Sequence, residues 1–167
     1  MHTKKPNKSE RRKDTHLDGS TGAQADGHDI GDRRNLLNVA TQETRFEIIQ
    51  NIVGHPEQLP SLKELDYFIP DTRKSTIRNH LDKLEDAGIV TPVKLPEEER
   101  SRDLPRVFYG LTRNGRDVLE EAGLLRAERS LQETTVQTKL TDEVVQYMNA
   151  PRPDWDPARP LEADQDK

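Results

Sequence analysis

A chain of 167 residues has room for one domain with tails, and with 31% hydrophobic and 34% charged side chains it is too lean to pack along its whole length. It contains no cysteine, which excludes disulfides and thiolate metal sites and points to a reducing intracellular compartment. No apolar stretch follows the basic N-terminus and none approaches the ~20 residues needed to cross a bilayer, so a cytoplasmic protein without membrane contact is expected.

The formal charge of −5 argues against a nucleic-acid partner until its distribution is considered. Residues 1–34 carry 8 basic and 6 acidic side chains, residues 35–123 carry 12 and 16, and residues 124–167 carry 6 and 9. Only the N-terminal stretch is net positive. Phosphate attraction acts over about one Debye length, roughly 8 Å at physiological salt, so a local basic face matters more than the total.

Residues 1–32 are polar and rich in Gly, Asp and Lys, and read as a disordered N-terminal tail. Phe46, Ile49, Ile52 and Val53 recur at helical spacing, with Thr41 as the expected cap and Gly54-His55-Pro56 as the stop. A second helix is signalled by Ser61 with Glu64 three residues on, the pattern of a capping box, and by the apolar face Leu62, Leu65 and Phe68. Ile69-Pro70-Asp71 breaks it. A third helix is expected from Thr72 as cap, through Ile77, Leu81 and Leu84, to Gly88. Residues 89–95 and 106–111 are rich in β-branched and aromatic side chains and predict a hairpin whose long polar loop spans 96–105. Thr112 is placed to cap a fourth helix bearing Val118, Leu119 and Ala122, ended by Gly123. Residues 127–149 predict one more helix, and the Pro-rich, acidic stretch 151–167 around Trp155 predicts a flexible tail.

The resulting fold class is mainly α with a small β-hairpin: a winged helix-turn-helix domain over 35–123, followed by a C-terminal dimerisation helix within 124–150. In that layout the third helix enters the major groove and the hairpin touches flanking backbone. Residues 71–83 hold four basic and two acidic side chains, a positive stretch inside a negative domain. With Ile77, Leu81 and Leu84 turned inward, Arg73, Lys74, Ser75, Thr76, Arg78, Asn79 and Lys83 become the candidate DNA-binding residues. Arg78 suits bidentate contact to guanine and Asn79 to adenine, while Ser75 and Thr76 suit phosphate oxygens beside a helix N-terminus. The plain alternative is a solvated helix face.

The segment Ala40-Thr41-Gln42-Glu43-Thr44-Arg45-Phe46-Glu47-Ile48-Ile49, with Leu62-Lys63-Glu64-Leu65, resembles the opening helices of small ArsR-type regulators. Residues 74–90, ending in Leu84-Glu85-Asp86-Ala87-Gly88-Ile89-Val90, are similar to the recognition helix shared by ArsR-type and MarR-type regulators. Tyr109-Gly110-Leu111-Thr112-Arg113-Asn114-Gly115 resembles their second wing strand and the start of the next helix, and Ala150-Pro151-Arg152-Pro153-Asp154-Trp155 resembles the ending of small archaeal proteins of this kind. The resemblance implies a dimeric transcription factor on a palindromic operator of double-stranded DNA.

The chain departs from the metal-sensing members of these families. It lacks cysteine, and His2, His16, His28, His55 and His80 are scattered without ligand spacing, so no metal and no cofactor are expected. In the wing, Glu97-Glu98-Glu99 would be repelled by phosphate, leaving Arg100, Arg102 and Arg106 as candidate contacts, or a loop that merely faces solvent. Leu131, Val136, Leu140, Val144 and Met148 would be exposed on a lone helix, which suggests pairing with a second copy; folding back onto the domain is the alternative. No nucleophile–base arrangement or phosphate-cradling glycine loop is present, so no enzymatic activity is expected. A winged helix serving as a protein–protein module in a transcription or replication assembly is the competing functional reading, favoured by the acidic balance.

Overall fold

The computed structural model describes residues 23–157. Residues 1–22 and 158–167 of the two expected tails, and the side chain of Val136, lie outside the described residues. Helix α1 spans Ala23–Ala40, α2 Glu43–Gly54, α3 Leu62–Phe68 and α4 Lys74–Asp86. Strands β1 (Val90–Lys94) and β2 (Val107–Leu111) then form an antiparallel hairpin, and α5 (Arg113–Glu121), α6 (Glu128–Gln137) and α7 (Asp142–Met148) follow.

One core joins these elements. Ile48, Ile49, Ile52 and Val53 of α2 meet Leu65 of α3, Ile77, Leu81 and Leu84 of α4, Leu111 of β2 and Leu119 of α5, all nearly or fully excluded from solvent. Each such side chain contributes about 1.5–3 kcal/mol by burial. Phe46, expected among the inward positions of α2, is only half-buried, and Ile48 takes that place. A smaller cluster of Leu59, Leu95 and Phe108, with Val93 and Trp155 packed on it, lies at the root of the wing. The hairpin register runs from Val90 opposite Leu111 to Lys94 opposite Val107. The α2–α3 linker lies along the outer edge of β2, where the Tyr109 amide donates to Pro60 O at 2.9 Å.

Both predicted glycine stops are real. Gly88 and Gly123 adopt φ of +71° and +73°, and Ile89 N–H reaches Leu84 O while Leu124 N–H reaches Leu119 O, each at 2.9 Å. This is the Schellman ending, which needs the left-handed conformation that glycine adopts without steric cost.

Several expectations need correction. The tail placed at 1–32 is helical from Ala23, because α1 runs on until Leu36, Val39 and Ala40 pack onto the core. Thr41 is not the cap of α2: its hydroxyl donates back to Leu37 O at 2.7 Å to close α1, and Gln42 caps α2 by accepting from Arg45 N at 3.1 Å. Thr72 is likewise spent in the turn after α3, its amide bonded to Ile69 O, so Arg73 is the N-cap of α4 and offers no side-chain cap. The long C-terminal helix is two helices, parted where Thr141 caps the start of α7 ahead of Asp142 and Glu143.

Those two helices fold back onto their own domain. Helix α6 packs on α2, with Gln132 Nε2 donating to Val53 O at 3.2 Å, and α7 packs on α3. Of the five apolar positions expected at a dimer interface, Val144 is buried at 4% exposure within its own chain, and Leu131, Leu140 and Met148 are half-buried. The stretch after α7 is not loose either: Ala150 is buried, and the chain from there to Pro157 runs along the wing root as a strap. A Cβ on Gly110 would stand 2.6 Å from Trp155 Nε1, so this glycine leaves room for the Trp155 ring.

A buried polar network anchors the strap. Glu64 is fully buried and caps α3 reciprocally with Ser61. Its Oε2 accepts from Ser61 N and Ser61 Oγ, both at 2.7 Å, while Oε1 accepts from Arg152 Nη2 at 2.5 Å and lies 3.0 Å from His55 Nε2. Glu57 N–H donates to His55 Nδ1, which leaves the ring proton on Nε2, aimed at Glu64. Arg152 also donates to Leu59 O, Met148 O and Ala150 O, and its guanidinium stands 5.1 Å from the centre of the Phe108 ring. Burial is the largest influence on the Glu64 carboxyl and raises its pKa. The His55 hydrogen bond, the Arg152 charge and the Ser61 donors together outweigh it and hold the group below the ordinary glutamate value.

Because that folded-state pKa lies below the unfolded one, the unfolded chain takes up the proton first as pH falls. The stabilisation is therefore complete above the ordinary glutamate range, about pH 4.3, and is lost as pH drops from there through the folded value. Thermal melts from pH 6 to pH 3 should show a fall in Tm that the Glu64→Gln variant lacks in part; parallel profiles would remove Glu64 from the account. Arg152→Ala should cost about 3–5 kcal/mol in urea unfolding, since it leaves a buried carboxylate without its cation. Gly115 offers a contrast in backbone packing, because a Cβ there would lie 2.3 Å from Ile89 O. Gly115→Ala should destabilise by about 1–3 kcal/mol. Gly31→Ala, with nothing within 4 Å, should instead stabilise α1 by about 0.5–1 kcal/mol.

Candidate nucleic-acid interface

Helix α4 presents its polar faces by simple geometry. With Ile77, Leu81 and Leu84 in the core and 100° per residue, Ser75, Asn79, Asp82 and Asp86 form the outer crest. Lys74, Arg78 and Glu85 occupy the flank toward the wing, and Thr76, His80 and Lys83 the opposite flank. Arg73, Lys74, Ser75, Arg78, Asn79 and Lys83 are exposed, and Thr76 is half-buried.

The flank toward the wing forms one wall of a groove of about 370 Å³. Lys63 of α3, Lys74 and Arg78 of α4, and Arg102 and Arg106 of the wing all line it, and no acidic side chain among the described residues does. Leu104 and Val107 line the wing side. The groove thus gathers five cations from segments up to 43 positions apart in sequence, inside a domain that is net negative. Lys63 carried no signal in the sequence beyond its charge, because only the α3–α4 packing brings it to this edge.

Tyr109 on β2 forms the floor between α4 and the wing. Burial pushes its hydroxyl above the usual tyrosine range; the Arg78 guanidinium opposes this, and the Asp82 and Glu85 carboxylates add to it. Those influences place Arg78 at the seam between helix and hairpin.

The three wing arginines do not act alike. Arg102 and Arg106 reach the groove, but Arg100 donates from Nε to Leu95 O at 2.7 Å and pairs with Glu97 at 3.6 Å, which stitches the loop together. Glu97–Glu99 form an exposed 3₁₀ turn and contribute nothing to the groove lining. On the opposite flank of α4, Lys83 shares its turn with Asp82, Glu85 and Asp86, so its field is offset by three carboxylates. His80 sits half-buried between Arg45 and Lys83, with Nδ1 unpartnered among the described residues. Burial, followed by the charges of Arg45 and Lys83, lowers its pKa. It therefore stays neutral near pH 7 and adds no charge to the interface.

The first turn of α4 also matters. Its N-cap, Arg73, supplies no side-chain acceptor, so the first amides are not covered by a cap and lie beside Lys74 and Ser75. No group of three or more potential metal-binding side chains occurs among the described residues, and no helix among them is long and apolar enough to cross a membrane.

A helix-turn-helix domain family matches residues 40–93, a span that runs from the end of α1 through α2, α3 and α4 to the middle of β1. A solved structure from Halomicrobium mukohataei, described as a protein with a GntR superfamily winged-helix-turn-helix domain, is similar over 80% of this chain and 91% of that chain. The sequence identity is 28% and the TM-score 0.68. None of the curated proteins compared with the chain matches it. The fold is therefore a winged helix-turn-helix, and these likenesses support a DNA-binding regulator in general terms. The finer ArsR-type or MarR-type resemblance rests on the chain's own residues.

The Arg78–Tyr109 seam can be checked directly. In pH titrations followed by NMR of ring-labelled tyrosine, Tyr109 should ionise above the usual tyrosine range. Arg78→Met should move it further up and Asp82→Asn should move it down; no response to either change would separate Arg78 from the seam.

Proposed function

We propose that this protein is a sequence-specific transcription regulator that lays the N-terminal half of α4 in the major groove of double-stranded DNA. The observation that carries the reading is the basic groove between α4 and the wing, where Lys63, Lys74, Arg78, Arg102 and Arg106 converge with no acidic side chain among the described residues of the lining. The acidic residues of α4, Asp82, Glu85 and Asp86, crowd its C-terminal half and favour approach by the N-terminal half. Arg78 and Asn79 then read base edges, and Ser75, Thr76 and the open amides of the first turn hold phosphate. Arg73 and Lys74 flank the entry point, with Lys83 the outlying contact.

Two-fold assembly on a palindromic operator belongs to the same proposal. Since α6 packs on α2 and α7 on α3 of the same chain, the contact between copies falls to what they and α1 leave outside. Ile30 on α1 and Val145 on α7, 66% and 39% exposed, are the exposed large apolar side chains among the described residues.

Selection of bound sequences from a random duplex pool should return a defined motif, two-fold if copies pair. No enrichment at low salt would favour the protein–protein module instead. Within the selected site, Arg78→Ala should cost about 1–3 kcal/mol and relax preference at one base pair. Arg106→Ala should weaken all duplexes alike and flatten the salt dependence by about one unit of slope. A uniform loss for Arg78→Ala would contradict its role in base reading.

A further inference from the structure

Helix α7 does not close completely on α3. Between them lies a second cleft, of about 600 Å³, within the size range of small-molecule sites, roughly 300–1,000 Å³. Its walls carry two aromatic rings, Tyr67 and Tyr147, with Pro70 and Val144 as apolar surface. Most of its polar groups are already engaged. Tyr67 donates to Lys139 O at 3.3 Å, Tyr147 donates to Glu143 at 2.6 Å, and Lys63 donates to the Tyr147 hydroxyl at 3.2 Å with its ammonium 4.5 Å from the ring centre.

Two charged groups in the lining are left over. Among the described residues, neither the half-buried carboxylate of Asp66 nor the ammonium of Lys74 has a hydrogen-bond or ion-pair partner, and they do not pair with each other. A free anion and a free cation on one aromatic-walled cleft match a ligand that carries both charges beside an apolar group. Lys74, like the engaged Lys63, lines the groove beside the wing as well as this cleft.

We infer that the α3–α7 cleft binds an amino-acid-like zwitterion with an apolar or aromatic side chain, its amine on Asp66 and its carboxylate on Lys74, and that occupancy withdraws Lys74 from DNA. The site stands on the cleft alone; the coupling rests on the DNA-binding reading proposed above. By reciprocity, a ligand that weakens DNA binding is itself bound more weakly when DNA is present.

Calorimetry on the full chain tests the site without DNA, using L-phenylalanine, L-tyrosine and L-leucine, with phenethylamine and 3-phenylpropionate as probes that each lack one charge. At least one amino acid should bind saturably, and its single-charge analogues and the Asp66→Asn variant should bind about ten-fold or more weakly. Asp66 has no partner to lose, so this variant should keep its fold and its DNA affinity. No binding by any of the three amino acids, equal binding by an analogue, or an unchanged affinity in Asp66→Asn overturns the site. In a second arm, anisotropy of a labelled duplex should show DNA affinity falling about five-fold or more when the bound amino acid is added. An unchanged DNA affinity with the cleft filled overturns the coupling through Lys74. Failure to bind DNA with the cleft empty counts against the DNA reading, and the calorimetry still decides the site.

Discussion

The fold turns on a carboxylate fully excluded from solvent. Glu64 caps α3, accepts from the His55 ring at the end of α2 and holds Arg152 of the C-terminal strap, so one buried charge joins three parts of the chain. A buried charge costs several kcal/mol unless every lone pair is met, which makes this cluster sensitive to the loss of any member. Arg152 passes the constraint on to Phe108 and Leu59 at the wing root. The angle between α3, α4 and the hairpin is therefore held from behind by the strap as well as from within by the apolar core.

That rigidity has a functional meaning because the basic groove is made by elements distant in sequence. Lys63, Arg78 and Arg106 share a groove only while α3, α4 and β2 keep their packing. The domain around it is acidic, yet over a Debye length of about 8 Å the local cations set the field that a phosphate meets. Overall charge is thus a poor guide to the partner. The placement of charge is the better one: cations line the flank of α4 toward the wing, while acids collect near its C-terminal end and in the 3₁₀ turn of the loop.

Much of this was legible in the sequence where a local rule applied. Ser61 with Glu64, the glycines at 88 and 123, the spacing of Ile77, Leu81 and Leu84, and the β-rich stretches flanking residues 96–105 each act through neighbours a few positions away. What could not be read depends on distant partners. Thr41 and Thr72 look like caps, but their neighbouring turns claim them first. Residues 151–157 look like a loose tail because proline and acid dominate, and only the folded domain supplies the buried Glu64 and the space above Gly110 that hold Arg152 and Trp155. Lys63 and Arg102 come together across the α3–wing gap, which no periodicity encodes. For the same reason Arg100, which reads like its neighbours in sequence, is held by Leu95 and Glu97 and stays out of the groove.

The dependence of DNA affinity on salt reports whether the groove between α4 and the wing holds phosphates. If Lys74, Arg102 and Arg106 each neutralise a phosphate, log K should fall against log salt with a slope of about −3 for each copy bound. A slope near zero, or one that Arg102→Ala and Arg106→Ala leave unchanged, would contradict a DNA site in the groove between α4 and the wing.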